Sequence, residues 1–161
     1  MRYSNLQKTV ISGLEFNEIP PMGADEKEER IKATASLDEL TGELFNIDFI
    51  HDCVVENICI KNYRANRLPE VRIKLSIGRA DIKCTGTLVY KGVSKLTNLF
   101  DICDKGRFEN DCLYDELYLT DGNGFAHNII FEPNCEVNIE CESIKWVPQR
   151  GDMLEWNMKY R

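Results

Sequence analysis

Two histidines, His51 and His127, decide most of the acid–base or metal chemistry that this chain of 161 residues could perform. His51 stands beside Asp52 at the head of the apolar run FIHDCVVENICI. An adjacent His-Asp doublet can bind a catalytic metal ion, but the proteins in which it does so are helical and supply further histidines as ligands. On a strand, adjacent side chains point to opposite faces, so the pair could share an ion only at a bend or bulge. We therefore expect a structural role, in which a side-chain hydrogen bond from His51 or Asp52 fixes the start of a strand.

His127 is the other candidate general base, in the run FAHNIIF. A nucleophile needs a base beside it and a third group that orients the base. The apolar residues Phe125 and Ile129, two positions away on each side, favour a core or interface histidine on a half-buried strand face. The alternative is a small-molecule or enzyme site in the mouth of a β-barrel, near His127, Tyr114 and Tyr118. Fingerprints of serine hydrolases, P-loop proteins and dinucleotide-binding proteins are absent from the sequence.

Cysteine is the remaining reactive residue type. Seven cysteines are an odd number, so they cannot form a complete set of disulfides within one chain. No two follow the C-x-x-C spacing, and neither histidine lies at zinc-finger spacing from a cysteine pair. We expect no metal and no cofactor. Most cysteines are predicted to be buried free thiols in a reducing cytoplasm, and Cys59, Cys84 and Cys141 fit this prediction best.

The formal net charge of −7 is distributed unevenly. Residues 101–142 carry eleven acidic and two basic side chains, so this segment alone has a charge of −9 and the remainder is +2. Such a surface repels the phosphates of nucleic acids, which we exclude as partners, and attracts a basic protein. The alternative is that the acidic strands only keep the domain soluble. The predicted partner-binding residues are Asp115, Glu116, Glu136, Glu140 and Glu142.

No part of the sequence predicts a membrane span, because the longest uncharged apolar runs are only a few residues long. The start of the sequence contains no apolar block of signal-peptide length. We therefore expect a cytoplasmic protein.

The elements that must position these residues change character near residue 48. We predict a single domain over 1–161, with an N-terminal arm and short helix in 1–48, a β core in 49–146 and a tail in 147–161. The charged run ADEKEER is predicted to be an irregular arm, and SLDELTGELF a short helix with a capping box of Ser36 and Glu39.

Strands are predicted from residue 49 onward, where the hydrophobic period becomes two. The clearest is LPEVRIKLSIG, in which Val71, Ile73, Leu75 and Ile77 alternate with polar residues. Further strands are predicted at 82–91, 114–119, 125–131 and 137–146, with turns at DGNG and EPNCE. The predicted fold is mainly β, with a minor α+β character: an antiparallel β-sandwich or open barrel with one or two short helices near the N-terminus.

Four segments, IHDCVVENICIKN, EVRIKLSI, TLVYKGVSKL and FAHNIIFEPNCEVNIECESIKW, resemble a group of small β-rich bacterial immunity proteins of polymorphic toxin systems. In that group an HD-containing strand precedes an amphipathic strand, a strand that ends in an aromatic-x-G-V motif, and an acidic closing strand. The resemblance spans residues 49–146 and implies a binding protein that blocks a basic toxin, with no catalytic residues. The matching positions are His51, Asp52, Tyr90, Gly92, Val93 and Leu96, of which His51, Asp52 and Gly92 are expected to be structural.

Overall fold

The computed structural model describes residues 24–46, 50, 53–62, 67–79, 82–98, 112–131 and 135–149. The predictions for His51 and Asp52, for the EPNCE turn at residues 132–134, for most of the arm and for most of the tail lie outside the described residues. The helices are α1 (Ala24–Ala35) and α2 (Glu39–Asn46). The strands are β1 (Cys53–Lys61), β2 (Glu70–Arg79), β3 (Ile82–Lys91), β4 (Lys95–Thr97), β5 (Cys112–Leu119), β6 (Phe125–Phe131), β7 (Cys135–Cys141) and β8 (Ser143–Pro148).

The strands form two four-stranded antiparallel sheets, which we call sheet I, in the order β1-β2-β3-β8, and sheet II, in the order β4-β7-β6-β5. Hydrophobic side chains from both sheets share one core. The predicted mainly β fold is therefore confirmed in its sandwich form, and the sheets do not close into a barrel. That the whole of 1–161 is one domain stays a prediction.

The alternation in β2 is confirmed. Val71, Ile73, Leu75 and Ile77 are all buried, and the residues between them lie on the outer side of sheet I. The predicted DGNG hairpin is also confirmed between β5 and β6. There the Thr120 amide donates to the Gly124 carbonyl.

The predicted strand 137–146 is wrong as a single element. β7 ends at Cys141 and belongs to sheet II, whereas β8 begins at Ser143 and belongs to sheet I. Glu142 makes the crossing, and its amide lies within hydrogen-bond distance of the carbonyls of Lys91 and Gly92. The hydrophobic alternation changes phase at this bend, from Val137, Ile139 and Cys141 to Ile144 and Trp146, and this phase shift is the sequence signal of the break.

The predicted irregular arm at ADEKEER is wrong, because these residues begin helix α1. The segment ADEKEERIKATA contains neither glycine nor proline, and its first turn carries Asp25 and Glu26, which favour a helix N-terminus. Glu28 and Lys32 form an ion pair one turn apart, at 2.7 Å. Asp25, Lys27 and Glu28 of the charged run lie on the solvent side of this helix, whereas Glu26 and Arg30 are buried.

The short helix predicted in SLDELTGELF is confirmed as α2, but its cap is Asp38 and not Ser36. The Asp38 carboxylate accepts hydrogen bonds from the Thr41 amide, at 3.1 Å, and from the Thr41 hydroxyl, at 2.9 Å. The Ser36 hydroxyl instead donates back to the Lys32 carbonyl at the end of α1. One short turn thus ends α1 and starts α2.

Candidate functional site

A buried charged network joins the helices to the sandwich, and Arg30 of α1 is its centre. Its Nη1 donates to Asp115 Oδ2 at 3.0 Å and to the Asp115 carbonyl at 3.1 Å. Its Nε and Nη2 donate to the carbonyl of Phe45 in α2, at 3.1 and 2.9 Å. Arg30 therefore fixes both helices against the edge strand β5.

The network continues into the core through His127. Its Nε2 lies 3.3 Å from Asp115 Oδ2, and its Nδ1 lies 2.8 Å from the hydroxyl of Tyr90 in the opposite sheet. The edge of the imidazole meets the Phe45 ring at a centroid distance of 5.1 Å. His127 and Tyr90 are both 0 % exposed, so this chain of polar groups crosses the sandwich entirely within protein.

The protonation states follow from this geometry. Burial alone raises the pKa of Asp115, but the Arg30 guanidinium and the hydrogen bond from His127 outweigh burial and hold that pKa well below its usual range. Burial lowers the pKa of His127 despite the opposing effect of Asp115. Burial also raises the pKa of Tyr90. The network is therefore one carboxylate, one guanidinium, a neutral imidazole that donates through Nε2, and a phenol that donates to Nδ1.

This network contains the residue types of a catalytic relay, but a substrate cannot reach it. Both imidazole nitrogens have protein partners and no part of the ring is exposed, so a substrate proton has no position to occupy. The predicted core role of His127 is confirmed, although its strand is buried throughout and not half-buried.

Tyr114 and Tyr118, the other members of the alternative site, do not converge on His127. They pair with Ile130 and Ala126 on the opposite face of sheet II, whereas His127 pairs with Leu117. The Tyr114 hydroxyl donates to Glu26 of α1.

Two of the predicted partner-binding acids are buried, which corrects the prediction for them. Asp115 is 3 % exposed and Glu116 is 2 % exposed. Asp115 points into the core toward Arg30 and His127, and Glu116 accepts a hydrogen bond from Asn128 Nδ2 at 3.2 Å. Asp115 and Glu116 are adjacent on β5, so their side chains point to opposite faces of sheet II. Both carboxylates are nevertheless buried against polar partners, and a count of charges in the sequence cannot reveal this burial.

The other three predicted acids, Glu136, Glu140 and Glu142, lie at the surface, and we call them the acidic face. Val137 and Ile139 are fully buried between Glu136 and Glu140, as the alternation predicts. Glu140 forms an ion pair with Lys95, with Nζ 2.9 Å from Oε1, and 33 % of the Glu140 side chain remains exposed. Glu142 is exposed at the crossing between the sheets.

Sequence reasoning missed a polar row across the outer side of sheet II. Glu116, Asn128, Asn138 and Thr97 stand in register on β5, β6, β7 and β4. Asn128 Oδ1 and Asn138 Oδ1 are buried without a hydrogen-bond partner among the described residues. Because these oxygens are buried, the row is not part of the exposed acidic face. The signal for it was polar residues at alternate positions of strands that also carry apolar ones.

Gly92, which was predicted to be structural, lies at the corner between the two sheets. Its φ of 64° is in the left-handed region, and a Cβ there would lie 2.4 Å from Cδ of Glu142. The following residue, Val93, is buried and donates its amide to the Pro69 carbonyl at 3.0 Å. The aromatic-x-G-V motif thus builds the corner where the sheets meet, with its aromatic residue, Tyr90, hydrogen-bonded to His127.

The cysteines at positions 53, 59, 84, 112 and 141 are free thiols. Cys84 and Cys141 are buried as predicted, but Cys59 is exposed, which corrects the prediction. A bulge between Val55 and Asn57 reverses the alternation in β1 and turns Ile58, not Cys59, toward the core. Burial raises the pKa of Cys141 to about 12. The described residues contain no cluster of three or more His, Cys, Asp or Glu side chains that could hold a metal ion.

Scans against protein-family models, curated proteins and solved structures each found no match to this chain. Within the described ranges, neither helix is long and apolar enough to cross a membrane.

Proposed function

We propose that this protein is a non-enzymatic binding protein that holds a basic protein partner on its acidic face. The supporting observation is that the described arrangement closest to a catalytic one, Tyr90–His127–Asp115, is sealed in the core, whereas Glu136, Glu140 and Glu142 reach the surface. Carboxylates at the rim of an interface speed the encounter with a basic partner.

The sequence resemblance extends this proposal to an immunity protein that neutralises a toxin in the cytoplasm. The described positions of the resemblance, Tyr90, Gly92, Val93 and Leu96, pack in the core or shape the corner between the sheets. A motif with this role can be shared by proteins that bind different partners. The free thiols of the described residues are typical of a reducing compartment.

A capture experiment from the native host at low salt tests the proposal. Wild-type protein is expected to retain a basic protein, and the charge-reversed variant Glu136→Lys/Glu140→Lys is expected to lose it. The matched control is Glu28→Lys/Glu39→Lys, which makes the same change in net charge at exposed helix positions. Equal retention of that protein by both variants, or retention of no basic protein by the wild type, would contradict the proposal. The cell-level test is whether expression of the wild type protects a host from the captured protein.

A further inference from the structure

The outer side of sheet I carries charge of the opposite sign. Its basic residues alternate with core positions: Lys145, for example, stands between the buried Ile144 and Trp146. All four strands of the sheet contribute, and two acidic side chains, Glu56 and Glu70, lie on the same side. We call this surface the basic face, and its members are Lys61, Arg72, Lys74, Lys91 and Lys145.

Three of these cations are available to a partner. Arg72 pairs with Glu70 and Lys74 pairs with Glu56, each at 2.5 Å. Lys61, Lys91 and Lys145 are exposed and form no ion pair with any described residue. They stand on β1, β3 and β8, so they span the width of the sheet.

The chemistry between the lysines favours a protein surface over nucleic acid. Ser143 stands opposite Lys91, Thr87 stands between Lys74 and Val147, and Val147 is 45 % exposed on the same strand as Lys145. The described residues of this face include no aromatic side chain, which sheets that bind single strands use for stacking on bases.

We propose that the basic face docks an acidic patch of a second protein, on the side of the sandwich opposite to the acidic face. Exposed lysine ammonium groups would meet carboxylates, and the hydroxyls and Val147 would fill the contact between them. This inference goes beyond the proposed function. It uses none of the residues of the acidic face, so either proposal can fail alone.

The test measures the binding of a fluorescein-labelled glutamate-rich peptide by fluorescence anisotropy at low salt. The test variant is Lys61→Ser/Lys91→Ser/Lys145→Ser. The control variant, Lys27→Ser/Lys32→Ser/Lys95→Ser, loses the same three charges at exposed positions outside the basic face. We expect the test variant to bind the peptide about tenfold more weakly, since exposed charges act modestly and together. The control should bind within about twofold of the wild type. Urea unfolding confirms that both variants remain folded.

Three outcomes would overturn the inference. Equal weakening by both variants means that the peptide senses only net charge. Tighter, lysine-dependent binding of an oligothymidylate means that the face serves nucleic acid. If the wild type self-associates in sedimentation velocity and the test variant does not, the basic face binds a second copy of the chain.

Discussion

Arg30, Asp115 and His127 form a buried charged network that ties distant segments of the chain together. The guanidinium satisfies two backbone carbonyls and one carboxylate, so three segments of the chain depend on one side chain. A buried ion pair of this kind adds little net stability relative to apolar residues, but the loss of one partner leaves the other uncompensated.

Asp115→Asn is therefore expected to lower the free energy of unfolding by about 3–5 kcal/mol, because Arg30 stays buried without a counter-charge. The double variant Arg30→Met/Asp115→Asn should lose less than the sum of the two single variants. Urea denaturation of all three measures the coupling, with Glu28→Gln at the exposed pair with Lys32 as a control that changes little. Strict additivity would show that the pair does not act as a unit.

Acidification is expected to destabilise the fold through His127 and Asp115. Both have a pKa below the usual value in the native state, so the unfolded chain binds their protons first and stability falls as the pH falls. The contribution of His127 should be lost from about pH 6.5 downward, and that of Asp115 from about pH 4 downward. Urea midpoints between pH 3 and 8 measure this, and His127→Gln should flatten the profile between pH 5 and 7. A wild-type profile that is already flat there would contradict the neutral, buried imidazole.

At the scale of the elements, the corner at Gly92 and Glu142 determines how the chain passes between the sheets. Gly92→Ala forces a Cβ against the Glu142 side chain and a positive φ on alanine. We expect a loss of about 1–3 kcal/mol in the free energy of unfolding. Gly92→Ala/Glu142→Ala should recover only part of it, since the backbone strain remains. Gly122→Ala, where a Cβ meets nothing within 4 Å, is the matched control. Equal losses in the free energy of unfolding for Gly92→Ala and Gly122→Ala would show that the corner at Gly92 has no special conformational requirement.

The sequence predicted the elements whose signal is local. Period-two patterning predicted β2, and the residues of DGNG predicted the hairpin. It failed where tertiary contacts decide: the charged run of α1 became a helix docked through Arg30, and the bulge in β1 turned Cys59 outward. Burial of Asp115 depends on partners 85 and 12 residues away in sequence, so no local pattern could reveal it.

At the scale of the whole molecule, the described residues place charges of opposite sign on the outer sides of the two sheets, around a shared hydrophobic core. Glu136 and Glu140 lie on sheet II, and the exposed lysines lie on sheet I. Charge separated in this way orients an approaching partner more than it strengthens the final complex. The net charge of the chain therefore does not describe how charge is distributed over the described surface.

The rate of association with the captured basic partner, measured by stopped-flow fluorescence as salt rises, tests the central claim most directly. The Debye length falls from about 30 Å at 0.01 M to about 10 Å at 0.1 M salt, so the wild-type rate constant should fall across this interval. Glu136→Lys/Glu140→Lys should start from a lower rate constant and depend less on salt, with the dissociation rate and the stability changed little. A variant that associates at the wild-type rate with the wild-type salt dependence would show that these carboxylates only keep the protein soluble and that the partner binds elsewhere.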